Sequence, residues 1–299
     1  FRRGADLMLA AAASKANIPY IMSGACNDTI ENAARISRET TWYQVYAANN
    51  KSITEDMIRR CTNAGLGALV VTVDVPIRPK RERNTRNRYS HDLRKLTAER
   101  VIDALCHPRW TYEYLINRGA PSLENWAPYA PQESNSHEIL DFFNTQTPAK
   151  SQTWQELETY RRLWDGPLIV KGILHPEDAI QATNIGVDGI IVSNHGGRQL
   201  DRAPSSIDAF PAISAAVGDK TTLMLDSGIR RGADIIIGLC LGAAFVFVGR
   251  AAVYGVVAGG EEGAAQTINI LSQQLDANLG QMGVTAINQL GPHCLTELK

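Results

Sequence analysis

No stretch of about 18 consecutive apolar residues occurs in this chain, so no segment reads as a transmembrane helix. Long basic runs are also missing. Thirty basic and 31 acidic side chains give a net charge of −1, which argues against nucleic acid as a partner. Cysteine is scarce. Cys26, Cys61, Cys106, Cys240 and Cys294 are odd in number, scattered, and include no CxxC pair. That usage speaks against a disulfide framework and a zinc site, so no metal is expected. It fits a reducing compartment, and a cytoplasmic setting is the expectation.

What the chain does have is alternation. Short apolar runs at 18–23, 42–46, 68–74, 167–171, 188–193, 221–226 and 244–248 read as strands. Segments such as 53–64, 176–185, 207–217 and 231–241 carry apolar residues at helical spacing. Strand–helix alternation means a parallel sheet. Length alone allows one large α/β domain or two small ones. Seven strands are one short of a (β/α)8 TIM barrel. A helix at 4–16 precedes the first strand, whereas in a barrel each helix follows its strand. The expectation is therefore that the first strand lies upstream of Phe1 or on a separate piece.

One spacing is anomalous. From Asp74 to Pro167 the chain is far longer than a usual strand–helix unit, and it is rich in Arg, Pro, Asn and Trp. An insertion at about 77–153 is expected to act as a lid or subunit contact, with a helix near 98–104. Its aromatic–basic mixture also leaves peripheral contact with a membrane or a partner protein open. The cluster Arg78, Lys80, Arg81 and Arg83, with Arg86 and Arg88, suits either a solvated loop or an anion site.

Polar residues cluster where strands end: Ser23; Gln44 and Tyr46; Thr72 and Asp74; Lys171; Ser193 and His195; Asp226. At the C-terminal end of barrel strands such groups converge on one pocket. After the fifth predicted strand, Ser193-Asn194-His195-Gly196-Gly197-Arg198-Gln199-Leu200-Asp201 places a histidine three residues before an arginine. The first can take a proton near neutral pH. The second can grip a carboxylate with two parallel hydrogen bonds. Glycines and arginines at 226–232 and at Gly249-Arg250 follow the last two strands, where barrels commonly bind phosphate. Lys171 suits a Schiff-base nucleophile, a phosphate ligand or a charge stabiliser.

The chain resembles the FMN-dependent α-hydroxy acid dehydrogenase/oxidase family from about residue 4 to its C-terminus. SNHGGRQLD (193–201) carries the resemblance. WYQVY (42–46), TVDVP (72–76), RER (81–83), IVKGI (169–173), DSGIRRGAD (226–234) and GAAFVFVGR (242–250) support it. The resemblance implies one FMN-binding barrel domain over 1–299 that oxidises an (S)-2-hydroxy acid such as lactate or mandelate. It implies His195 as base, Asp74 as its carboxylate partner, and Arg198, Arg81 and Tyr46 around the substrate. Lys171 would stabilise reduced FMN. Ser23, Gln44, Thr72, Ser193, Asp226, Gly228, Arg230, Gly249 and Arg250 would contact the cofactor. A homo-oligomer, a tetramer, is implied too. The electron acceptor stays open between oxygen, quinone and cytochrome. This chain departs from the family at Gly24, where a Ser or Thr is frequent, at Ser227, where glycine is common, and at Pro79-Lys80. Two alternatives are another FMN- or phosphate-binding barrel, of the type 2 isopentenyl-diphosphate isomerase kind, and a non-catalytic barrel subunit.

Overall fold

The computed structural model describes residues 2–79, 81–87, 97–116, 121–149 and 152–296. Seven strands lie among them: β1 (Tyr20–Met22), β2 (Thr41–Val45), β3 (Ala68–Thr72), β4 (Leu168–Ile173), β5 (Gly189–Val192), β6 (Thr222–Leu225) and β7 (Phe245–Val246). Every neighbouring pair is parallel, and the order across the sheet is the order along the chain. This is (β/α)8 barrel architecture.

Helices α1 (Ala5–Lys15), α2 (Ile30–Ser37) and α3 (Lys51–Ala64) accompany the first strands. The long stretch between β3 and β4 holds α4 (Glu82–Arg86), α5 (Ala98–Cys106), α6 (Pro108–Ile116), α7 (Ser136–Gln146) and α8 (Trp154–Leu163). Then follow α9 (Pro176–Asn184), α10 (Ser206–Val217), α11 (Gly232–Cys240) and α12 (Arg250–Met282). Local signals explain these boundaries. The Asn50 side chain accepts from Ser52 N–H to start α3, and Gly65 at φ 68° ends it. Asn135 and Glu138 form a capping box that starts α7.

Two apolar layers follow from the period-two alternation of strand side chains. Leu69, Val71, Val170, Ile190, Val192 and Leu225 join the main core with the helices. Ala68, Val70, Ile169, Ile191 and Met224, with Ile21, Trp42, Phe245 and Phe247, form a separate inner layer. Phe247 packs edge-on to Trp42 with ring centroids 5.7 Å apart. Two residues beyond this layer, on the same face by parity, stand Ser23, Gln44, Thr72, Lys171, Ser193, Asp226 and Gly249. The inner face is therefore apolar below and polar above.

The insertion is more helical than its composition suggested. The helix expected near 98–104 is α5, but α7 and α8 are further helices that the Arg, Pro and Asn content masked. α8 packs against α3 and serves as the crossover helix of the β3–β4 unit. Residues 121–149 are fastened to the barrel. Trp126 is fully buried, its indole Nε1–H donates to Gly24 O at 2.7 Å, and Phe143 packs edge-on to it. Asn125 Oδ1 accepts from Ile30 N–H and from Arg60. Arg78 donates to Thr147 O at 2.9 Å. By contrast, α5 and α6 bury no residue and pack against each other.

Candidate active site

The β3 and β4 registers place Thr72 beside Lys171. Thr72 Oγ1 accepts from Gln44 Nε2 at 2.6 Å, and Thr72 O accepts from Gln152 Nε2 at 2.8 Å. Two residues past Thr72, the chain leaves the sheet and presents Asp74. Gly172, at φ 111°, makes room for it. A Cβ on Gly172 would stand 2.6 Å from Asp74 Cβ, so only glycine fits there.

Asp74 Oδ1 lies 2.9 Å from His195 Nδ1. A carboxylate at that nitrogen fixes the neutral tautomer with hydrogen on Nδ1 and the lone pair on Nε2. Both side chains are largely enclosed. The Lys171 ammonium is buried beside them. It donates to Ser193 Oγ at 2.9 Å and stands 3.4 Å from Asp226 Oδ2 and 3.8 Å from Asp74 Oδ2. One cation thus sits between two carboxylates in a site that water barely reaches, which offsets the cost of burying all three.

Tyr46 joins this group from the end of β2. Burial and the Asp74 charge raise its phenol to a pKa of about 12, while Ser23, Arg81 and Arg198 oppose the rise. Arg81 is in turn lowered by burial and by the Arg198 charge. Two guanidinium groups, one phenol and the His–Asp pair therefore share one electrostatic neighbourhood. Two adjacent guanidinium groups repel each other, and a bound anion relieves that repulsion. Arg198 is exposed and Arg81 half-buried.

The glycine–arginine loops lie next to this group. Arg250 Nη2 donates to Gly196 O at 3.1 Å. Gly228 and Gly249 have no heavy atom within 4 Å of the position a Cβ would take, so an open cradle lies over both backbones. The two helix starts nearby differ. At α11, Asp234 Oδ2 accepts from Arg230 N–H and Arg231 N–H, and Gln274 takes Gly232 N–H. At α12, Gly249 supplies no capping side chain. The open N–H groups that favour a phosphate therefore belong to α12. At α11 the N–H groups of Arg230, Arg231 and Gly232 are already taken, so Arg230 offers its side chain rather than its backbone N–H.

The residues read from the sequence as site candidates lie at the C-terminal ends of the strands, in the loops that follow or, for Arg250, at the first residue of α12. Sequence reasoning missed Gln152, Ser206 and Gly172, and gave Ser227 no role. A glycine inside an apolar strand is a known mark of close backbone approach, so Gly172 carried a usable signal. Gln152, Ser206 and Ser227 carried none, because their partners are distant in sequence.

A family model described as FMN-dependent dehydrogenase matches residues 1–297. The (S)-mandelate dehydrogenase of Pseudomonas putida is 37% identical over 290 residues, covering 97% of this chain and 72% of that protein. An L-lactate dehydrogenase of Acinetobacter baylyi is 34% identical over 297 residues, 99% of this chain and 76% of that protein. Among solved structures, one described as the monotopic membrane protein (S)-mandelate dehydrogenase superposes with a TM-score of 0.92 at 37% identity. It covers 99% of this chain and 78% of that one. A mandelate oxidase variant gives 0.74 at 29% identity, over 95% and 70%.

Proposed function

This chain belongs to the FMN-dependent dehydrogenase family, and from that premise we propose that it oxidises an (S)-2-hydroxy acid, lactate or mandelate, to the 2-oxo acid. The observation that carries this reading is the His195–Asp74 pair at 2.9 Å in the same neighbourhood as Arg198, Arg81 and Tyr46.

The residues present fit FMN. A buried ammonium at Lys171 suits the negative charge of a reduced flavin edge, and Gln44, Thr72, Ser23 and Ser193 offer neutral hydrogen-bonding groups around it. The open cradle over Gly228 and Gly249, with Arg230, Arg250 and the α12 N-terminus, suits a ribityl phosphate. Asp226 stands between the two groups, near Lys171. Bound FMN supplies a two-electron acceptor.

The remaining work falls to side chains of this chain. Arg198 and Arg81 bind the substrate carboxylate, and Tyr46, neutral at working pH, donates its O–H to the same acid. His195 Nε2 accepts the substrate proton. Asp74 stabilises the imidazolium that results, as a carboxylate does for a catalytic histidine. Anaerobic mixing of the FMN-loaded protein with (S)-lactate and then (S)-mandelate tests the proposal. Bleaching of the flavin absorption by one acid is the expected result. A flavin that neither these nor other 2-hydroxy acids bleach overturns it.

We also propose that the 77–153 insertion has two tasks within one FMN-binding domain. Residues 121–149 brace the barrel, and the α5–α6 hairpin is a peripheral membrane contact. The hairpin exposes Ile102, Leu105, Tyr112, Leu115 and Ile116, with Leu105 72% accessible, and carries Arg100, His107 and Arg109. Glu99, Asp103 and Glu113 balance these basic groups, so it is the exposed apolar face that suits a bilayer surface. No helix among the described residues is long and apolar enough to cross a membrane. The protein should sediment with phosphatidylglycerol vesicles, and Leu105→Glu with Leu115→Glu should leave it in the supernatant. Equal sedimentation of both forms overturns the assignment. A membrane-bound enzyme reaches membrane quinone directly, so quinone ranks ahead of oxygen and cytochrome as acceptor. Comparing quinone reduction with peroxide formation in air decides this. Family membership supports a homo-oligomer, a tetramer, which light scattering measures.

A further inference from the structure

His195 has φ 57°, and it is followed by Gly196 at 67° and Gly197 at 70°. The left-handed region is unfavourable for a residue with a side chain and persists only when its surroundings over-determine it. The β5 ladder ends at Val192, so the sheet does not hold the N–H groups of residues 194–196. Side-chain hydroxyls hold them instead. Ser193 Oγ accepts from His195 N–H at 3.1 Å. Ser206 Oγ accepts from Asn194 N–H at 3.0 Å. Ser227 Oγ accepts from Gly196 N–H at 3.0 Å and from Asn194 N–H at 3.3 Å.

Ser227 is thus bonded to the residue before His195 and the residue after it. Its own hydrogen goes to Asp226 Oδ1 at 2.7 Å. Asp226 Oδ2 stands 3.4 Å from Lys171, Lys171 stands 3.8 Å from Asp74, and Asp74 holds His195 Nδ1. These contacts close a ring around the imidazole. Ser227 occupies this place at φ 78°, where glycine is at ease and serine is strained. The side chain must give back what the backbone loses, and Oγ is its one polar atom.

We propose that Ser227 is a positioning residue for the active-site base. Its hydroxyl clamps the backbone on both sides of His195 and so aims the imidazole, with Asp226 orienting the hydroxyl. This inference rests on the reading of His195 as base.

The test uses the FMN-loaded full chain with Ser227→Ala, Ser227→Gly and, alongside, His195→Ala. Ser227→Ala removes the hydroxyl and keeps the strained backbone. Ser227→Gly removes both the hydroxyl and the strain, and its backbone is free to adopt φ 78°. Both serine variants should hold FMN at wild-type stoichiometry. At saturating acid, flavin bleaching should slow by about tenfold or more in both, with KM changed much less, because misaimed catalytic groups lose rate before they lose binding. The ring nitrogen resonances of His195 in 15N-labelled enzyme without substrate should broaden or shift in both. Wild-type bleaching in Ser227→Gly, or unmoved His195 resonances, overturns the clamp. So does loss of FMN with normal bleaching of the loaded fraction, which would make Ser227 a cofactor contact. If His195→Ala bleaches normally, the base assignment itself falls. If His195→Ala is blocked while Ser227→Gly is normal, the clamp alone falls.

Discussion

Removing the His195 imidazole takes away the proton acceptor but leaves Lys171, Ser193 and the glycine–arginine loops in place. His195→Ala is expected to keep FMN and to slow bleaching by the acid at least about 100-fold, the scale of general-base catalysis, in stopped-flow absorption. Arg198→Lys keeps a charge and loses the planar fork, so KM should rise sharply in steady-state assays. Tyr46 sets a pH limit of its own. Its folded pKa of about 12 is higher than the unfolded value of about 10. The group therefore contributes full stability below about pH 10, and that contribution is lost as pH rises toward about 12. Burial also raises the phenols of Tyr20, Tyr43, Tyr129 and Tyr160, so absorbance at 295 nm should show several late-ionising phenols, and Tyr46→Phe should remove one of them. At this scale the site was largely legible, because His, Arg, Lys and Asp at strand ends have few other uses. Hydroxyl acceptors such as Ser206 and Ser227 were not legible, because serine occurs everywhere.

Single elements decide whether those residues meet. Gly24 has no room for a side chain: a Cβ there would approach Gln44 O to 2.7 Å and the Tyr46 ring to 2.9 Å. The Ser or Thr that the family resemblance led one to expect here is therefore excluded in this chain by the close approach of Gln44 and Tyr46. The carbonyl of Gly24 is also where Trp126 anchors the insertion. Trp126→Ala removes a fully buried indole and should cost about 3–5 kcal/mol in denaturant unfolding. Strand positions were readable from apolar runs to within a few residues. The helices of the insertion were not, since α7 and α8 hold themselves by a capping box and by contacts with α3 rather than by a clean apolar stripe.

For the molecule as a whole, the residues proposed to hold FMN are spread over both halves of the described sheet. They run from Ser23 after β1 to Arg250 after β7. Any ligand held by the native state alone stabilises it by mass action. FMN at 100 times its Kd should add about 2.7 kcal/mol. At about 2 °C per kcal/mol for a chain of this size, the melting temperature should rise on the order of 5 °C in calorimetry. No rise with added FMN would contradict the fit of the cradle over Gly228 and Gly249.

The sequence by itself determined the alternation of strands and helices, the polar residue at the end of each strand, and the family. Those are local properties: a period of two, a period of 3.6, and a rare nine-residue motif. Tertiary structure alone decided that the inner face turns from apolar to polar one pleat above Ile169, Ile191 and Met224. It also decided that α12 rather than α11 leaves its N–H groups open, and that Ser227 holds the backbone on both sides of His195. Each of these depends on which distant atom completes a hydrogen bond, and a linear pattern carries no record of that choice.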